Sequence, residues 1–589
     1  MKRLFLPVAL ALLLFGSLAT VIAQDDMQAP DGTWFGTWPY TLPPDHHLNA
    51  YASGGPNSNL GNVYRGMVEL TPAFYLWATD EYVGILADDW GFVDDNTAYE
   101  ITLRDDALWS NGEQVNADDV ITTYALGRLS GWSQFNFIDD VEKVDDFTVR
   151  FHFIDGEPSL QAERLLLKEY IVSEDTYGEL AQRALDLFET EADSESDEWG
   201  ALLTEVQEFR PEQLIASGPY TYSLDDVGDS FLTLNWQPNS IFSDQVQFGE
   251  VKLWAGETDS TTPLVLSGEI AHSTNVYPPS TVETFVNEGI EIVTIPRGYG
   301  PALLFNLQED PWNIREVRQA VALVIDRDQN AFLTNGFGAA GTEFMSGVLD
   351  SSTEAMIPED VIADLDRYDF DTERAAGLLE SVGYSRNDDG IWADADGNTL
   401  SAEWVFPQEF ADFSGATQDA VAQMNEFGFD ISLRAVPWQE VPPLIRAGDF
   451  ELSVWSWGLG SPLASRHFYN PIQRWTTDLA DDQPGLGIEM GMQMDGDTVN
   501  LDEMINSVND GLDTDVHRQR AGEVARLVNR EMLYVPLNEM LSAEPFNTDF
   551  ITGLPAEDDP ILLNPTGSDH FIILYILNGT LGPTEAAMD

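Results

Sequence analysis

Two tryptophans set two residues apart are the clearest chemical signal in this chain. Trp455 and Trp457 lie in the stretch 451–458, which reads Glu, Leu, Ser, Val, Trp, Ser, Trp, Gly. Strand alternation puts Leu452 and Val454 on one face and Ser453, Trp455 and Trp457 on the other. The first face carries residues suited to a core. The second, with two indoles beside a glycine-rich turn, suits the wall of a cleft. By burial statistics alone, a second core surface fits the same pair equally well. Indole faces stack on sugar rings, peptide planes and side chains, so they mark ligand binding without naming the ligand.

The catalytic inventory is mostly negative. No His-Glu-x-x-His, Walker A loop or Gly-x-Ser-x-Gly elbow occurs. The seven histidines sit at 46, 47, 152, 272, 467, 517 and 570. Only His46 and His47 are close in sequence, and neighbours on an extended chain point opposite ways, so a surface loop is expected there and no metal site. With 101 Asp and Glu, accidental carboxylate pairs abound, and no single pair signals a glycosidase. Asp394, Asp396 and Asn398 have the look of a calcium loop, but the EF-hand spacing and terminal Glu are missing, so a hairpin is expected. No cofactor is called for.

Mixed α/β elements must position these groups. Strands are expected at 99–103, 147–153, 231–236, 251–254 and 291–295, and around 301–306. Asn116, with Asp119 three residues on, opens a helix. Leu180, Ala184, Leu187 and Phe188 share one helical face, and Trp199, Leu202, Leu203, Val206 and Phe209 another. The acidic run 189–198 between them reads as a solvated loop. Asn313 and Glu316 are spaced as a capping box for a helix striped by Val317, Val321, Val324 and Ile325. A further helix starts at Asp371 and stops at Gly383. The last long helix carries Ala521, Val524, Ala525 and Val528. The run 570–577 reads as a short strand.

Charge bounds the partners. Of 589 residues, 27 are Lys or Arg and 101 are Asp or Glu, a formal charge of −74. Such a surface repels phosphate, which excludes nucleic acid and disfavours anionic membranes. A hydrophobic share of 43% still allows large cores, and the length suggests about four domain-sized units. Lysine occurs only at 2, 143, 168 and 252. That pattern suits a saline habitat, and lineage composition produces it equally. Residues 1–23 read as a signal peptide: Lys2 and Arg3, an apolar stretch, then Val21 and Ala23 at the −3 and −1 positions, with cleavage after Ala23. The chain has no cysteine, which excludes disulfides, thiolate metal sites and lipid attachment.

A set of motifs then adds a family resemblance. Leu103-Arg104 ends a strand, Ser110-Asn111-Gly112 forms a turn, and Ala117, Asp119 and Val120 start a helix. Ser217-Gly218-Pro219-Tyr220, Leu266 to Ile270, Phe305-Asn306, Val317-Arg318-Gln319-Ala320 with Ile325-Asp326-Arg327, Asp371 to Tyr384, Gly448-Asp449-Phe450 and Trp457-Gly458 follow in order. The chain resembles the family 5 solute-binding proteins of ABC importers, a group with oligopeptide, dipeptide, nickel and oligosaccharide binders.

The resemblance implies an α/β, two-lobed periplasmic-binding-protein fold of type II, with ligand between the lobes. Lobe I would comprise 24–66, 219–298 and 531–589, with an extra domain at 67–218. Lobe II would be 299–530. The implied ligand-binding residues are Trp457, Trp438, Asn57, Ser58, Tyr299 and Asn306, with a structural role for Asn306 equally open, and the strand reading adds Trp455. The implied partners are an oligopeptide or oligosaccharide and an ABC permease, and a monomer in the periplasm or outside the cell is expected. No catalytic residue is implied. The turn 458–462 lacks the Asp that peptide binders of the family place after the pocket Trp to pair with the peptide α-amino group. That departure, with 16 Trp in the chain, leans towards the oligosaccharide branch.

Overall fold

The computed structural model describes residues 28–37, 46–190, 192, 194–336, 339–480 and 482–585. The expected signal peptide, 1–23, lies outside the described residues. Strand Gly32–Thr37 runs parallel to Phe248–Trp254, which pairs antiparallel with Phe231–Trp236. Glu291–Pro296 pairs antiparallel with Leu541–Phe546, bringing the last part of the chain to the first. Trp34, Tyr64, Leu234, Val251 and Phe571 are buried in one core shared by all these segments. Lobe I is thus closed only when the chain returns from its far end.

The region 67–218 adds an antiparallel sheet of Ala87–Val93, Ala98–Leu103, Thr148–Phe153 and Ile138–Lys143. The expected alternation at 147–153 holds: Val149, Phe151 and Phe153 are buried and their neighbours are not. Asn116 caps the helix Ala117–Leu129, and the Asp119 carboxylate accepts the Asn116 N–H at 2.9 Å, completing the capping box. Trp109 donates its indole N–H to the same carboxylate at 3.0 Å, so the cap is anchored in the core. Helices Glu174–Phe188 and Asp197–Glu208 flank the acidic run and bury Leu180, Ala184, Leu202 and Val206.

A second, five-stranded sheet orders Asp430–Val436, Ser401–Pro407, Leu452–Trp457, Gly300–Phe305 and Tyr534–Pro536. Cores lie on both faces, so the strands Gly300–Phe305 and Leu452–Trp457 are buried along nearly their whole length, as a doubly covered sheet requires. One core holds Leu303, Val454, Val317 and Ala416. The other holds Leu304, Trp455, Trp457 and Val524. Strand Tyr534–Pro536 belongs to this sheet, whereas Leu541–Phe546 pairs in lobe I. By strand pairing the chain therefore crosses back near Met540 rather than at the expected 530–531.

Three local expectations are corrected. Helix Arg315–Val324 starts after Ile314 and has no side-chain cap. Asn313 stands one residue before the N-cap Ile314, out of register for capping, and its amide donates to the Asp310 carboxylate at 2.6 Å. The run 570–577 is a helix, Phe571–Leu577, whose N-cap is His570: its Nδ1 accepts the Ile572 N–H at 3.1 Å. A short apolar run carries no period to tell strand from helix. His47 is buried rather than on a surface loop. Its Nδ1 accepts the Asn49 N–H, and its Nε2 meets the Ser53 carbonyl at 2.9 Å. The Asp394 loop is a hairpin turn, with Asp394 accepting the main-chain N–H groups of Asp396 and Asn398.

Candidate functional site at the lobe interface

The crossing from lobe I to lobe II runs from strand Glu291–Pro296 through Arg297, Gly298 and Tyr299 into strand Gly300–Phe305. Gly298 has φ +83°, and a Cβ there would lie 2.9 Å from the Gly460 Cα, so the two connecting loops touch backbone to backbone. The Arg297 guanidinium donates to Tyr299 Oη at 2.7 Å and to the Thr274 carbonyl at 3.2 Å. Both residues therefore stand rigid where the lobes meet.

Beside this crossing lies a pocket of about 120 Å³, lined by Glu257, Val276, Arg297 and Tyr299 from one side and by Phe410, Asp412 and Phe413 from the other. Glu257 precedes helix Thr258–Ser267. Its Oε2 accepts from Asn275 at 3.2 Å, while its Oε1 is buried with no hydrogen-bond partner. Burial and the nearby Asp412 push its carboxyl up to about 8, against the pull of Asn275 and Arg297. Burial likewise raises Asp412, which is 8% exposed and held by main-chain N–H groups, that of Phe413 at 2.8 Å among them.

The aromatic wall continues from Phe410. Trp438 stacks on it with centroids 5.8 Å apart and planes at 20°. Trp455 meets Phe410 at 6.4 Å, Phe413 edge-on at 6.3 Å and Trp475 edge-on at 6.1 Å. A second, larger cavity of about 590 Å³ lies between the extra domain and lobe II. Its wall is mostly amide, hydroxyl and carboxylate, including Asn136, Gln161, Gln473, Asp478 and Asn506. The lobes are bridged along its edge. Ser465 donates to Gln161 Oε1 at 3.0 Å, and the Gly511 N–H to the Pro158 carbonyl at 2.8 Å.

Of the residues expected at the site, Tyr299 lines the smaller pocket, while Trp438 and the buried Trp455 pack against its Phe410 and Phe413 without lining it. Trp457 is fully buried behind them, its indole N–H donating to the Asn538 carbonyl at 3.1 Å. The two faces of its strand are divided as the alternation predicts, and each packs into a core. Asn306 is buried, and its amide is committed to Gly448, Phe450 and Gln308 main-chain groups. Asn57 is exposed on the first turn of helix Pro56–Arg65, where Ser58 Oγ accepts the Gly54 N–H at 3.1 Å. Sequence reasoning missed Glu257, Arg297, Phe410 and Asp412. Nothing in the sequence separates Glu257 and Asp412 from 99 other acids. Arg297 carried a usable signal, since it stands two residues before the expected hinge tyrosine.

His272, Glu544 and His570 also converge, with ligand-type atoms within 4.8 Å of one another. Glu544 accepts from both Nε2 atoms, at 2.8 and 2.9 Å, and from Ser542 and Thr566 at 3.0 Å. Because His570 Nδ1 accepts a main-chain N–H, its proton sits on Nε2, the atom a metal would need bare. The cluster is a hydrogen-bonded knot and does not suit a cation.

Two α/β lobes, two crossing strands and a lined pocket at the crossing define the solute-binding class of protein. The chain belongs to the bacterial extracellular solute-binding proteins, family 5, whose middle region matches residues 81–475. These are substrate-binding proteins of ABC importers. It is 21% identical over 415 residues to the oligopeptide-binding protein AppA of Bacillus subtilis, covering 66% of this chain and 68% of AppA. It is 21% identical over 447 residues to the periplasmic alpha-galactoside-binding protein of Rhizobium meliloti, covering 68% of this chain and 61% of that protein. Its fold is that of a periplasmic oligopeptide-binding protein from Thermotoga maritima solved with mannohexaose bound: TM-score 0.75 and 16% identity over 95% of this chain and 100% of that one.

Proposed function

We propose that the protein is the extracytoplasmic substrate-binding component of an ABC importer, which encloses an oligosaccharide or oligopeptide between its lobes and delivers it to a membrane permease. The aromatic wall of Phe410, Trp438 and Trp455 at the lobe interface carries this reading. Flat apolar faces, together with a separate interlobe cavity of amides and carboxylates, are what an oligomeric, hydrogen-bonding solute needs. Trp455, Trp438 and Tyr299 would touch the ligand. Trp457 would support the wall from behind, Asn306 would set the end of its strand, and Asn57 and Ser58 would approach from lobe I. A ligand that touches both lobes favours the closed state by its differential affinity.

The named relatives support the choice of solute: one is called an alpha-galactoside binder, and AppA is solved with a nonapeptide. All are binding proteins, which favours capture without turnover over a secreted hydrolase. Export to the periplasm or beyond fits the family description and the reading of 1–23 as a signal peptide, and the protein would act there as a monomer. A thermal-shift screen of mannohexaose, alpha-galactosides and di- to hexapeptides tests the proposal, with product analysis alongside. At 100 times Kd, a bound ligand stabilises by about 2.7 kcal/mol. Cleavage of any probe, or no stabilisation by any, would overturn the reading.

A further inference from the structure

The smaller interlobe pocket has an unbalanced charge and an unused acceptor. Glu257 enters from lobe I and Asp412 from lobe II, and Arg297 is the one cation among the described lining residues. With both acids ionised, two negative charges face one positive charge. Glu257 Oε1 is buried and unpartnered. Such an atom costs free energy comparable to a lost hydrogen bond, and more when charged. Neither acid is hydrogen-bonded to Arg297, whose guanidinium is turned to Tyr299, Thr274 and Ser542. The remaining walls are Tyr299, Phe410 and Phe413, whose faces favour a cation.

We propose that this pocket holds a primary ammonium group of the ligand, clasped between Glu257 of one lobe and Asp412 of the other. One positive charge brings the pocket to neutrality and fills the vacant Oε1. Because the two carboxylates belong to different lobes, closing the empty pocket drives a proton onto Glu257 to avoid setting two negative charges together, and that cost opposes closure. An ammonium reverses that sign, so the group that is recognised is also the group that shuts the cleft. The site takes over the task that the missing Asp after Trp457 leaves undone, with residues from another part of the chain. The volume, about 120 Å³, admits the ammonium and the carbons that follow it. The inference rests on the interlobe cleft being the binding site. Two sources present this chemistry: a peptide N-terminus and an amino sugar.

The test pairs free and N-acetylated probes. Tri- to hexapeptides and glucosamine oligomers are titrated against the full chain, each beside its acetylated form, with mannohexaose as the neutral control. Binding by a free-amine probe, weakened about 30-fold or more by acetylation and by Glu257→Gln, is expected. Whether peptides or glucosamine oligomers bind names the source. Asp412→Asn should weaken the same probe while leaving far-UV circular dichroism unchanged. Because Glu257 Oε1 has no partner to lose, Glu257→Gln should not lower the Tm of the ligand-free protein. Mannohexaose or acetylated probes that bind as tightly as free amines, indifferent to Glu257→Gln, would overturn the ammonium site and leave the cleft reading standing. Failure of every probe to bind would overturn both.

Discussion

His272 Nε2 lies 2.8 Å from Glu544 Oε2, and both side chains are wholly excluded from solvent. The contact joins two parts of lobe I that are 272 residues apart. It extends on both sides. Trp34 donates to Tyr64 Oη at 3.3 Å, and Tyr64 meets His272 Nδ1 at 3.4 Å. His570 reaches Glu544 from the C-terminal helix. Every segment from which lobe I is assembled therefore ends on one carboxylate.

Stability is expected to fall with acid in two stages. His570 and His272, by charge and hydrogen bond, hold the Glu544 carboxyl well below the ordinary carboxylate range despite its burial. Burial pushes His272 below its ordinary value. For both groups the unfolded chain binds more protons than the folded one, so stability rises with pH. The His272 contribution is lost below about pH 6.5, and that of Glu544 below about pH 4.3. Urea midpoints at pH 7.5, 6, 5, 4 and 3 should decline steadily. Glu544→Gln should cost about 3–5 kcal/mol at pH 7.5 and remove the further loss that the parent chain shows between about pH 4.3 and 3. An equally steep decline over that range in the variant would refute the assignment.

Asp569 plays the matching part between lobe I and its extra domain. Its fully buried carboxylate meets Arg164 at 2.6 Å and Lys168 at 2.5 Å. Asp569→Asn leaves two cations without their counter-charge and should cost about 3–5 kcal/mol. Adding Arg164→Met and Lys168→Met to Asp569→Asn should be much milder than Asp569→Asn alone, because no buried charge is then left without its partner. Denaturant unfolding of the variants checks the ranking.

The tryptophans should separate by role. Trp457→Ala removes a fully buried side chain and should cost about 3–5 kcal/mol of stability. Trp438 is half-buried and stacked on Phe410, so Trp438→Ala should leave the fold intact and weaken ligand binding. Trp455→Phe should keep the packing against Phe413 and Trp475 and alter the fluorescence response to ligand. A Trp438→Ala protein that binds with unchanged Kd would remove that residue from the site.

How far the sequence disclosed this arrangement varies by type of residue. Period-two patterns were legible at 148–153 and 452–457, because one side of each strand meets a different environment from the other. The capping box at Asn116 was legible because its partners are three residues apart. At Asn313 the same spacing misled, because the helix begins one residue later, after Ile314. The His272, Glu544 and His570 knot was beyond reach, because it is built by long-range closure and its residue types recur along the chain. Glu257 and Asp412 were hidden for the same reason: 155 residues separate them, and only lobe closure puts them in one pocket.

That closure yields the last prediction. Gln161 spans the lobes, accepting from Ser465 at 3.0 Å and donating to the Asn506 carbonyl at 3.3 Å. Both bonds form only when the extra domain meets lobe II, so they favour the closed state alone. Each is worth about 0.5–1.5 kcal/mol. Gln161→Ala should therefore move the ligand-free ensemble towards open forms by roughly 5- to 100-fold, which small-angle scattering reads as a larger radius of gyration. Ligand affinity should fall by the share of closed protein lost, because the apparent Kd scales inversely with the competent fraction. Saturating ligand should restore the wild-type radius. Identical scattering and affinity in the variant would mean that these bonds follow closure without driving it.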